Sequence, residues 1–61
     1  MGNKVEIGGT YDRSDVLYDV VKVIDIIVTG GRCLIRFQMV FGDDPDIHTV
    51  GPEDTKNWEA Y

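Results

Sequence analysis

From Val16 to Val28 the chain carries eight Val or Ile residues, one Leu and no Ala, and Gly30-Gly31 follows directly after Thr29. β-branched side chains lose rotamer freedom in a helix and pack well on a pleated sheet. Beyond the glycines, Cys33, Ile35, Phe37, Met39 and Phe41 alternate with Leu34, Arg36, Gln38 and Val40. That period of two marks a strand with one strongly apolar face. Gly-Gly supplies the positive φ angles of a two-residue type I′ turn. With that turn imposed, Val28 faces Cys33, Ile26 faces Ile35 and Ile24 faces Phe37 on one side. On the other side Thr29 faces Arg32, Ile27 faces Leu34, and Asp25 faces Arg36 with opposite charge. The match fails at Lys22 opposite Met39. A bulge near Val20-Val21-Lys22 restores it and leaves Tyr18 and Val20 inward.

A helix also fits part of this region. At about 100° per residue, Val16, Leu17, Val20, Val21, Val23, Ile24, Ile27 and Val28 share one face, with Ser14 as a cap and Gly30 as the stop. The alternative fold is therefore α+β, with a helix at about 15–29. Agreement across two segments favours the long hairpin over the pattern of one.

The remaining segments are short. Lys4-Val5-Glu6-Ile7 alternates and reads as an edge strand ending at Gly8-Gly9. Thr10 to Asp15 reads as a loop, and Gly42-Asp43-Asp44-Pro45-Asp46 as a tight acidic turn. Ile47 to Val50 reads as a strand, Gly51 to Asp54 as a turn or a single 3₁₀ turn, and Thr55 to Tyr61 as a last short segment. The expectation is an all-β single domain over residues 1–61, a small five-stranded barrel around a long central hairpin.

At this point the chain resembles short bacterial and phage accessory proteins with SH3-like barrels. The likeness rests on Ile7-Gly8-Gly9-Thr10-Tyr11, Tyr18-Asp19-Val20-Val21-Lys22-Val23, Arg36-Phe37-Gln38-Met39-Val40-Phe41, and Pro52-Glu53-Asp54 ahead of Trp58. It is an outline of patterning over nearly the whole chain. It implies an SH3-like fold and the role of a phage-type factor that binds and modulates or inhibits a host protein. This barrel hosts many unrelated roles, so the site must carry the functional argument.

Size bounds the rest. A chain of 61 residues buries only about 60% of the surface its unfolded form exposes. Its core supplies about 3–5 kcal/mol. Cys33 is the only cysteine and His48 the only histidine, so neither an internal disulfide nor a zinc set can reinforce it. Self-association is the remaining route, which makes a small structural subunit of a homo-oligomer one reading. Six basic against eleven acidic side chains give a net charge of −5. That charge repels nucleic acid and anionic membranes and steers the chain toward basic protein surfaces. A lone cysteine fits a reducing compartment. No apolar run nears the ~20 residues of a membrane span. A cytoplasmic protein is expected.

Catalysis has little to build on. Ser14, His48 and an Asp make a triad only on paper, without a nucleophile elbow or an oxyanion-hole glycine motif. With Asp44 first in a calcium loop, Asp46 and His48 fall at the third and fifth positions. Thr49 and Thr55 then stand where the loop needs Gly and Glu, so no metal and no cofactor is expected. The expectation is a non-enzymatic protein-binding domain. One candidate surface is the strip Val23, Ile27 and Leu34 with Arg36, an exposed apolar face if the sheet closes. The other is the acidic set Asp43, Asp44 and Asp46, with Glu53 and Asp54 nearby, beside Trp58 as a partner anchor or a core residue. The carboxylates also admit an acidic DNA-mimic inhibitor of a nucleic-acid-binding protein, or a plain solvated turn. Phe37 and Phe41 are expected in the core.

Overall fold

A computed structural model describes residues 5–13 and 19–61. Its elements are β1 (Thr10–Asp12), β2 (Val20–Thr29), β3 (Arg32–Met39), β4 (Ile47–Val50), a 3₁₀ turn (Pro52–Thr55) and β5 (Glu59–Ala60). All five strands lie in one antiparallel sheet of order β4-β3-β2-β1-β5. The all-β expectation is borne out. Val20–Thr29 is a strand and not the helix of the α+β alternative. Val16, Leu17 and Tyr18 lie outside the described residues.

The Gly30-Gly31 turn forms as its chemistry requires, with φ of +55° and +75°. It sets five cross-strand pairs: Thr29–Arg32, Val28–Cys33, Ile27–Leu34, Ile26–Ile35 and Asp25–Arg36. The bulge, however, falls between Val23 and Asp25 rather than near Val20-Val21-Lys22. Ile24 is the extra residue, so Val23 and not Ile24 faces Phe37. The reason lies on the neighbouring strand. The Gly8 N–H donates to the Val23 carbonyl at 2.7 Å, and the Val23 N–H donates to the Gly9 carbonyl at 2.9 Å. Both backbone groups of Val23 are thus held from the β1 side, and the kink is displaced to Ile24.

β1 itself departs from expectation. Thr10–Asp12, read as loop, pairs with Val20–Lys22 and with Glu59–Ala60. Val5 to Ile7, read as part of an edge strand, instead leads into a turn in which the Gly9 N–H donates to the Glu6 carbonyl at 3.0 Å. Polar Thr10 and Asp12 flank Tyr11, and only the inward tyrosine marks the strand.

The core is Val21, Val23, Ile35, Phe37 and Trp58, with Tyr11, Ile26, Cys33, Met39 and Val50 packed at its margin. Burying each of these large side chains contributes about 1.5–3 kcal/mol. Trp58 meets Phe37 edge-on, with ring centroids 5.4 Å apart at 86°. The 3₁₀ turn aims it. Thr55 Oγ1 donates to the Pro52 carbonyl at 2.7 Å, the Asp54 carboxylate accepts the Gly51 N–H at 3.3 Å, and the Trp58 N–H donates to the Thr55 carbonyl at 3.1 Å. Trp58 leads into β5, an edge strand, while Phe37 belongs to β3. Their contact draws one end of the sheet over its middle.

Candidate functional site

The acidic loop between β3 and β4 is exposed but ordered by specific bonds. Asp44 Oδ1 accepts the Asp46 N–H at 3.0 Å, and Asp44 Oδ2 lies 2.9 Å from His48 Nε2. Gln38 Nε2 donates to the Pro45 carbonyl at 2.9 Å. His48 in turn stacks on Phe37, with centroids 5.4 Å apart and the planes at 23°. The loop is therefore tied through one histidine to the core. The Asp46 N–H, and then His48, hold the Asp44 carboxyl below its ordinary value of 3.8. Asp43, Asp44 and Asp46 project at one end of β4. Glu53 and Asp54, also exposed, follow its other end.

Beside this loop stands an exposed aromatic pair. Phe41 and Tyr61 meet edge to face, with centroids 6.2 Å apart at 76°. Tyr61 keeps 70% of its surface exposed and Phe41 36%. The pair is fixed from the backbone: the Tyr61 N–H donates to the Thr10 carbonyl at 3.1 Å, and the Val40 N–H donates to the Val20 carbonyl at 3.0 Å. The expectation of Phe41 in the core is corrected here. The strand ends at Met39 and Gly42 turns the chain at φ +93°, so the alternation runs two residues past the sheet that would have used it. The turn residues Gly42-Asp43-Asp44 were the available signal that Phe41 lies at a strand end.

Two expected contact residues are withdrawn by the structure. Val23 has no exposed surface, because the bulge at Ile24 turns it into the core against Phe37. Trp58 keeps only 6% of its surface and is core, not anchor. Ile27 and Leu34 form a half-buried cross-strand pair, and Arg36 is exposed opposite Asp25. They lie toward the hairpin tip, apart from the acidic loop.

Arg13 was not singled out by sequence. Its guanidinium lies 5.1 Å from the centre of the Phe37 ring, while its Nε and Nη2 donate to Asp19 Oδ1 at 2.9 and 2.6 Å. The Arg13 N–H also donates to the Asp19 carbonyl at 3.0 Å. These bonds clamp the base of the β1–β2 connection, a structural role. Ser14, of the paper triad, lies outside the described residues. Among the described residues no three His, Cys, Asp or Glu side chains converge as a metal site. No described helix is long and apolar enough to cross a membrane. Chemically, the arrangement presents hydrogen-bond acceptors and two aromatic faces on a fixed frame. Compared with known proteins, the chain matches no family model, no curated protein and no solved structure.

Proposed function

We propose that the chain is a non-enzymatic, SH3-like protein-binding domain of the accessory type that phages and bacteria use to modulate a host protein in the cytoplasm. Its contact surface is the Phe41–Tyr61 pair together with Asp43, Asp44 and Asp46. The observation that carries this reading is the exposed, backbone-fixed aromatic pair beside an ordered acidic loop. Aromatic side chains dominate binding energy where they are rigid and amphipathic, and charges around them select the partner and speed its arrival. The partner so described is a protein with an apolar pocket inside a basic rim.

The test is affinity capture from the host cell, followed by binding measurements on the captured protein. Replacing Phe41 and Tyr61 by Ala should abolish the complex. Neutralising Asp43, Asp44 and Asp46 together should slow association and flatten its salt dependence, with the complex still forming. A complex indifferent to the aromatic change would refute the reading.

A second reading draws support from the five carboxylates at the two ends of β4. As a DNA mimic, the domain would occupy the nucleic-acid groove of its target. Under that reading the triple neutralisation abolishes binding and the aromatic change does not.

A further inference from the structure

Among the described residues, nothing pairs with the outer edge of the β2 tip. β1 pairs with β2 only over Val20–Lys22, and Gly8-Gly9 extend this to Val23. Among the described residues, Asp25 to Thr29 have a ladder partner on the β3 side alone. The direction of the free backbone groups follows from the turn. In a two-residue hairpin the residues flanking the turn exchange both bonds, so Thr29, Ile27 and Asp25 point inward to β3. Ile26 and Val28 then point outward. The Ile26 N–H confirms this, because it donates to the Asp25 carboxylate at 2.9 Å instead of to β3. Val28, beside it, is 75% exposed.

We propose that this edge pairs with the same edge of a second copy, across a two-fold axis at Ile27. In that register Ile26 faces Val28 of the second copy and exchanges two backbone bonds with it, and the symmetric pair adds two more. Ile27 faces its own equivalent in a non-hydrogen-bonded pair, where side chains approach closest. Leu34 lies beside Ile27 on β3, so the axis is crossed by an apolar row of two Leu and two Ile. Asp25 faces Thr29 of the second copy, whose Arg32 lies one strand further, about 10 Å away. The Asp25 carboxylate gives up the Ile26 N–H to the second copy's Val28 carbonyl. It is then bracketed by Arg36 of its own chain and Arg32 of the other.

Neighbouring registers lack this fit. An axis at Asp25 sets two carboxylates face to face, and an axis at Ile26 sets Asp25 against Ile27. An axis at Val28 sets Ile26 against Gly30 and Asp25 against Gly31. Charge and apolar matching therefore select one partner, a second copy of this chain, and one alignment. The interface is distinct from the Phe41–Tyr61 surface and leaves it open.

The experiment is sedimentation equilibrium of the purified full chain up to millimolar concentration, with circular dichroism of each variant to confirm folding. The wild type should reach a monomer–dimer equilibrium. Val28→Pro removes an outward N–H and no bond of the chain's own hairpin, and Ile27→Lys sets two cations on the axis. Each should raise the dimer dissociation constant about tenfold or more. Register is read by cross-linking in a Cys33→Ser background. Ile27→Cys should form a disulfide-linked dimer, and Asp25→Cys should cross-link only when mixed with Thr29→Cys. A wild type that stays monomeric, or a dimer unchanged in both folded variants, would overturn the proposal.

Discussion

The two halves of β2 have almost the same composition and opposite fates. Val20, Val21 and Val23 are buried, whereas Asp25, Val28 and Thr29 are exposed and Ile26 and Ile27 only half covered. Both halves pair with β3. The difference is the far side: the first half is flanked by β1 and Gly8-Gly9, with Tyr11 and Trp58 packed against the same core, and among the described residues the second half has β3 alone. Ile24 is the hinge between them. A two-stranded ribbon is marginal in water, and a third strand with a shared apolar face makes the difference. The contrast teaches that burial along this strand is conferred by neighbours, not by the strand's own residues.

The comparison breaks most severely at Phe37. It touches Trp58 edge-on, His48 by stacking and Arg13 through its face. Phe37→Ala should cost about 3–5 kcal/mol, which equals the whole stability of a core this small. Thermal denaturation should show little or no cooperative transition, and a folded variant with a preserved melting temperature would contradict the central place given to this ring.

Gly9→Ala comes next. An added Cβ would stand 2.5 Å from the Tyr11 hydroxyl oxygen and 2.8 Å from Cε2 of the same ring. That hydroxyl accepts the Glu6 N–H at 2.8 Å. The ring must shift and loosen the turn that flanks the base of β2, at a cost of about 1–3 kcal/mol in urea unfolding. At the tip, Gly31→Ala meets no atom and is opposed by the backbone alone, because φ is +75°. Its cost should be about 1–2 kcal/mol, and Asn, which tolerates this conformation, should restore part of it.

Acid should act on the base end through Asp44. Its carboxyl titrates below the ordinary value of 3.8, so its contribution is complete above that value and fades as pH falls through the lower folded one. Unfolding measured across this acid range should lose part of its pH dependence in Asp44→Ala. An identical profile would mean the loop bonds add nothing. The smallest effect belongs to the tip: in the single chain Val28→Ala should change stability by about 0.5 kcal/mol or less, since little of Val28 is covered.

Legibility in the sequence followed the range of the interaction. The turn, the five pairs it dictates, β4 and the 3₁₀ turn each depend on residues close together in the chain, and each could be read. The candidate site was half visible. Asp43, Asp44 and Asp46 stood out as charge, but Phe41 was masked by an alternation that continued past the strand, and Trp58 read as core ahead of a partner anchor. Thr10–Asp12 was missed because a strand with one apolar residue has no pattern of its own; pairing with Val20–Lys22 makes it a strand.

What the sequence determined by itself was the long hairpin. Positive φ at Gly30 and Gly31 and the β-branched run of β2 are local requirements, and they hold wherever the hairpin sits. Tertiary structure alone decided where β2 kinks and therefore which valines are core. The backbone of Val23 is claimed by Gly8 and Gly9, some fourteen residues earlier in the chain, and a one-residue displacement exchanges the faces of a strand. The bulge at Ile24 makes that exchange, turning Val23 inward while leaving Ile27 and Leu34 where the turn had put them.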